Sequence, residues 1–230
     1  MVVELTAKLV VRAMGASYHN GFGIELPVSP SQVTSCVVKL KNGNPVPMGT
    51  LVTIDPATGL EASQAKAVVI LFDDGFNVLV PKYAGTGVNT TPGVPFVVPD
   101  TLLMTIMFAQ PVSPDVLKSQ IFNPFIFTNK TRGTEVHLPD FPPTSLATMS
   151  LFNTFDDKST PATGKYYKSA NNLPWALNIY EGYQYPNEKV SILDAFKHFA
   201  EWAGSAGVLF PDWYKDLPGY RNASSIYTQQ

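Results

Sequence analysis

Carboxyls, imidazoles and aromatic rings are the groups in this sequence that could do chemistry. Glycoside hydrolysis needs two acids at a set separation. Glu25, Asp73, Asp74, Asp100 and Glu135 are available for it, but sequence alone brings no two of them together. Asp73-Asp74-Gly75 reads first as turn chemistry. Three histidines are present, His19, His137 and His198, and a zinc site would need three or four well-placed ligands. Asp194, His198 and Glu201 fall at i, i+4 and i+7, so on one helix they would share a face, as any exposed polar face does. His19, in YHNGFG, and His137, at a strand end, read as partners of backbone groups. Asp156-Asp157 is the acidic pair offered as a candidate metal site, although adjacent acids in a turn are usually solvated. There is no G-x-S-x-G elbow and no H-E-x-x-H. Gly21-x-Gly23 is too short for a phosphate-binding fingerprint.

Aromatic rings offer binding rather than reaction. Trp and Tyr faces stack on sugar rings, and their polar tips add hydrogen bonds. The stretch 171–207, NNLPWALNIYEGYQYPNEKVSILDAFKHFAEWAGSAG, and its surroundings hold all three tryptophans and many tyrosines. The candidate ligand-binding set is Tyr180, Tyr183, Tyr185, Trp213 and Tyr214, the tyrosines near Gly182 and Pro186 being expected to be partly exposed. Trp175, inside LPWAL, and Trp202, on the expected helix, are expected to be core anchors.

The elements that must position these groups are mostly strands. Leu5, Ala7, Leu9 and Val11 alternate with Glu4, Thr6, Lys8 and Val10, the pattern of a half-buried strand. Further strands are expected around Ile24 and Leu26, over 33–40 before the Asn42-Gly43 turn, and at 51–54, 96–99, 102–109, 124–129 and 134–138. Residues 66–81, KAVVILFDDGFNVLVP, read as a hairpin about Asp74-Gly75. Short strands split by Gly and Pro turns, with no crossover helices, indicate an antiparallel β-sandwich, jelly-roll-like. After residue 140 the chain is irregular and aromatic-rich until one C-terminal helix at 188–203. There Ile192, Phe196, Phe199 and Ala203 form an apolar stripe, ended by Gly204 and Gly207. A lone helix cannot bury its stripe. The expectation is therefore a single domain over 1–230, with a sandwich core at 1–140 and the segment 141–230 packed on it.

Composition narrows the function classes. The 230 residues are 45% hydrophobic and 15% charged, with net charge −2. There is no basic stripe, which argues against nucleic acid, and no run of eighteen apolar residues to insert in a membrane. Cys36 is the one cysteine. It cannot form an intramolecular disulfide and reads as a small apolar residue on a strand. The start at full pitch in a strand suggests a piece of something longer.

Five stretches carry a family resemblance. Residues 15–33 (GASYHNGFGIELPVSPSQV), 132–147 (RGTEVHLPDFPPTSLA), 155–177 (FDDKSTPATGKYYKSANNLPWAL), 185–207 (YPNEKVSILDAFKHFAEWAGSAG) and 210–222 (FPDWYKDLPGYRN) resemble signatures of the LruC domain family, in matching order along nearly the whole chain. That family is named after a leptospiral outer-membrane lipoprotein and includes secreted or surface-anchored proteins of gut Bacteroidetes. The resemblance implies an extracytoplasmic setting and supplies no catalytic residues. Its members commonly carry an acidic segment, Asp-x-Asp-Phe-Asn-Asp, just before the strand that begins this chain. Such a segment would suit calcium, which takes six to eight oxygens, with Asp156 and Asp157 as a complementary piece. The expectation is a non-catalytic extracellular or cell-surface module with a binding or structural role, its ligand open and a surface glycan or protein the candidate partner. A glycan-active hydrolase or carbohydrate-binding module on the same scaffold is the alternative.

Overall fold

A computed structural model describes residues 1–16, 18–119, 122–179 and 182–229. The strands are β1 (Val2–Val11), β2 (Gly21–Glu25), β3 (Val33–Leu40), β4 (Val68–Phe72), β5 (Asp100–Val112), β6 (Asn123–Phe127) and β7 (Glu135–His137). The helices α1 (Pro114–Ser119), α2 (Ile192–Ala195) and α3 (Phe199–Gly204) are all short. The strands form two antiparallel sheets, β1-β5-β3 and β4-β2-β6-β7. The fold is mainly β.

Alternation explains the main core. Leu102, Met104, Ile106 and Phe108 of β5 are buried at every second position and meet Val69 and Leu71 of β4 between the sheets. The other face of the four-stranded sheet is covered too. There Val68 and Ile70 pack with Phe125, Phe127 and Val52, so all five residues of β4 are buried. β2 is flat on this outer face because it carries Gly21 and Gly23. A Cβ on Gly21 would lie 1.9 Å from the Phe127 ring and one on Gly23 2.5 Å from the Phe125 ring. Each ring lies over the glycine opposite it in the ladder, and so fills the space the missing side chain leaves.

Several expected elements differ. The hairpin over 66–81 has only its first strand. Asp74 accepts from the Phe76 amide and caps a 3-10 turn at Gly75–Asn77, while the Gly75 amide turns away to the Asn20 carbonyl. Residues 51–54 contribute one isolated bridge, Ile54 to Glu61. Residues 96–99 join no ladder, because the Asn89 amide pairs with both backbone groups of Val97.

The helix at 188–203 is broken in two and starts later. Ser191 caps α2 by accepting from the Leu193 amide. Phe196 is then extended at φ −124°, ψ 108° and bridges Arg221. The Lys197 amide goes to the Tyr220 carbonyl, and the Asn222 amide goes to the Ala195 carbonyl. Pairing with 220–222 thus outcompetes helix continuation, and it drops the Phe196 ring into a third cluster with Phe199 and Trp213. Glu188 ties this segment to the sandwich loops. It accepts from the Ala16 amide at 2.8 Å and the Thr90 hydroxyl at 2.6 Å.

Candidate functional site

The outer face of the four-stranded sheet carries the densest chemistry in the chain. The Arg132 guanidinium sits 5.0 Å from the centre of the Phe125 ring and 5.2 Å from that of Phe127. Its Nε and Nη2 donate to the two oxygens of Glu61 at 2.5 and 2.6 Å, and its Nη1 donates to Glu135. Glu135 also accepts from the Thr144 amide and hydroxyl and contacts His137 Nε2 at 2.8 Å. Asn123 gives its amide hydrogens to the Pro142 carbonyl, which turns its Oδ1 toward His137 Nδ1 at 2.6 Å. Both ring nitrogens of His137 lie within hydrogen-bond distance of side-chain oxygens. The ring is fully buried and stacked between Phe125 and Tyr167.

Burial alone would raise the Glu135 carboxyl. The hydrogen bonds from His137, Thr144 and Arg132, with the Arg132 charge, overcome it and hold the group below its ordinary value. Burial would likewise lower Arg132, but Glu61 and Glu135 raise it. Each of these groups is satisfied by protein partners, which makes the network a rigid support. Glu61 and Glu135 are the carboxyls that converge here, and both are engaged by Arg132.

Above this support lies an aromatic ridge. Tyr167 covers His137, and Phe152 meets Tyr167 edge-on. Farther out, Trp175 is 46% exposed and Phe155 is 96% exposed. Phe155 sits at φ +50°, a region uncommon for a bulky residue. The Trp175 indole is tethered by its Nε1–H to Asp157 Oδ1 at 3.2 Å. Asp157 is itself fixed by the Asn153 amide and by the amide and hydroxyl of Ser159. The ring edge is held while nearly half of the residue's surface stays exposed.

Two clefts flank the ridge and share Phe155, Asp156 and Trp175. One, of about 280 Å³, is mostly apolar, with Leu151, Phe152 and Tyr167 in its walls. The other, of about 580 Å³, adds Lys158, Ser169, Asn171 and Ser191 to the two rings.

Residues 1–214 match the model of a domain of unknown function, DUF4842. The chain belongs to the DUF4842 family. A search of the solved structures finds the crystal structure of a "putative lipoprotein" from Bacteroides ovatus, with a TM-score of 0.69 at 17% identity. The likeness covers 99% of the DUF4842 chain and 64% of the other, so this chain spans less than two thirds of that one. At this identity the fold is what the two share. Among curated proteins there is no match.

The candidate binding residues of this DUF4842 chain do not gather. Trp213 is 1% exposed and is enclosed by Phe196, Phe199 and Trp202. Tyr183 stacks on Phe196 and meets Trp213 edge-on, and burial pushes its hydroxyl up to about 12. Trp213 is core, and Tyr183 packs against that core while staying half-buried. Tyr185 stacks on Tyr227, and Tyr214 lines a different cleft with Pro139, Phe141 and Trp202. Tyr180 lies outside the described residues. Trp175, expected in the core, is instead at the surface; Pro174 and the polar pair Asn171-Asn172 were the signal that could have placed it there.

The candidate polar residues meet only in separate pairs, Glu135 with His137, His19 with Asp74 and His198 with Glu201. Asp156 is exposed, whereas both Asp157 oxygens accept from protein donors. Among the described residues no group of three or more His, Cys, Asp or Glu could hold a metal ion. Asp194 and His198 belong to different turns once the helix breaks, whereas His198 still meets Glu201 at 2.5 Å and stacks on Phe210. His19 meets Asp74 at 2.6 Å, Glu25 meets Lys66 at 3.0 Å, and Asp73 accepts from the Gly49 amide. Burial pushes the Cys36 thiol up to about 12, which leaves it unreactive at neutral pH.

Proposed function

We propose that this DUF4842 domain is a non-catalytic, extracytoplasmic module that binds a glycan across the cleft walled by Trp175 and Phe155. The observation that carries this reading is the tethered, half-exposed Trp175 indole. A flat apolar face, pre-positioned by Asp157, is what stacking on a pyranose ring requires. Asp156, Lys158, Asn171 and two serines in the same wall supply the polar contacts that fix orientation in such a site. The resemblance to the LruC domain family supports an envelope setting, and the lipoprotein description of the Bacteroides ovatus neighbour agrees with it. No helix among the described residues is long and apolar enough to cross a membrane.

Affinity electrophoresis through gels containing soluble plant and bacterial polysaccharides tests the reading. The expected result is retardation by at least one polysaccharide and its loss in Trp175→Ala. Retardation unchanged in Trp175→Ala, or none with any polysaccharide, would overturn it.

A further inference from the structure

Three sheet edges differ from the fourth in how they end. At β3, the Cys36 amide goes to the Thr58 carbonyl and the Leu40 amide to the Asn44 carbonyl. At β4, the Glu61 amide reaches the Val68 carbonyl. β7 is only three residues long. β1 is ten residues long and lies at the edge of its sheet. Among the described residues it makes no backbone hydrogen bond outside its ladder with β5. Toward its end, residues 9–15 line a cleft with Tyr183 and Tyr185. A long uncovered edge is a template for strand addition.

The side chains of this edge select its partner. Glu4, Thr6, Lys8 and Val10 point to solvent, while Leu5, Ala7 and Leu9 face the core yet are only half-buried. Glu4 and Lys8 have no ion pair within the chain among the described residues. Four residues apart on a strand, they are about 13 Å from each other and cannot pair together. Antiparallel pairing of two copies of this strand has few registers that work. Registers that oppose an odd position to an even one would turn an apolar face to solvent. Those centred on Glu4 or Lys8 oppose like charges. The register centred on Thr6 sets Glu4 against Lys8 of the second copy, and Lys8 against its Glu4. The same register sets Leu5 against Ala7 on the core-facing side.

We propose that β1 pairs with β1 of a second copy, antiparallel and centred on Thr6, joining two three-stranded sheets into one. The sequence of the edge is self-complementary in charge and in apolar pattern at that register alone. Pairing also covers Leu5 and Ala7, which the isolated edge leaves half open. The proposal is independent of the glycan cleft, which lies on the other sheet's outer side.

Sedimentation velocity of the 230-residue chain through the micromolar range tests it. The expected species is a dimer of twice 25.1 kDa. Lys8→Glu or Glu4→Lys alone makes both cross-strand pairs like-charged, and each should weaken association by about tenfold or more. Mixing the two single variants restores the opposite pairs, so the mixture should recover the dimer. The double variant Glu4→Lys/Lys8→Glu should also recover it. Because recovery needs folded chains, it separates a lost interface from a lost fold. A wild-type chain that stays monomeric would overturn the proposal and leave the edge to a different strand donor. A dimer indifferent to the single reversals would overturn it by placing the interface elsewhere.

Discussion

Replacing Arg132 with alanine should be among the most damaging single changes in this protein. Arg132 is 10% exposed at its side chain, and its two carboxyl partners, Glu61 and Glu135, are 1% and 0% exposed. Removing the guanidinium leaves two carboxyls in a site built around a cation. Breaking a buried pair in this way costs ~3–5 kcal/mol. The guanidinium also lies over two phenylalanine rings, a contact of at least about 0.5–1 kcal/mol each and more where desolvated, so the upper half of that range is expected. Since a domain is stable by only ~5–15 kcal/mol, urea unfolding at neutral pH should show a large drop in midpoint at unchanged slope. The deficit should shrink in mild acid, where the abandoned carboxyls can take up protons. Lys168→Ala, which removes an exposed pair with Asp140, is the control and should cost less than about 1 kcal/mol. An Arg132→Ala cost in that same small range would refute the view of a closed, fully paired network.

Other outcomes follow from the same geometry. Glu135 is held below its ordinary value, so the stability it contributes is present above about pH 4.5 and is lost as pH falls through the folded value; Glu135→Gln should therefore be less stable at neutral pH and show a flatter acid limb in urea midpoints against pH. Gly21→Ala places a Cβ 1.9 Å from the Phe127 ring and should cost ~1–3 kcal/mol by thermal or urea unfolding, whereas Gly182, with open space around it, should accept alanine. Tyr183→Ala opens the cluster around Phe196 and Trp213 and should cost about 2–3 kcal/mol, while Trp175→Ala should stay within about 1 kcal/mol; equal losses for the two would undo the assignment of one ring to the core and the other to the surface.

The sheets were legible where one face is dry and one is wet. β1 and β3 could be placed from their alternation, and β5 from its apolar run. The second half of the 66–81 hairpin was not legible, because Asp74 offered its side chain to the Phe76 amide and turned the backbone. The split helix was hidden for a different reason. Its stripe is sound from Ile192 to Ala203, but the pairing of 196–197 with 220–221 depends on residues far along the chain. The site suffered most from long-range effects. Glu61 and Arg132 are 71 residues apart in sequence, and no local pattern links them. Trp175 lies at the surface against expectation, while Tyr183 is half-buried with one side on the Phe196 cluster; local turn residues mark irregular backbone without saying which side of it meets water.

The most direct test of the account is the behaviour of the three tryptophan indoles during a glycan titration. The ¹H–¹⁵N spectrum of the chain should show one Nε1–H signal each for Trp175, Trp202 and Trp213, to be assigned by single substitution to phenylalanine. A saturating shift of the Trp175 signal, with that of buried Trp213 unmoved, is the predicted result for an oligosaccharide cut from the polysaccharide that retards the domain. A response confined to Trp202, which lines the separate cleft beside Tyr214, or no response from Trp175 under binding conditions, would contradict it.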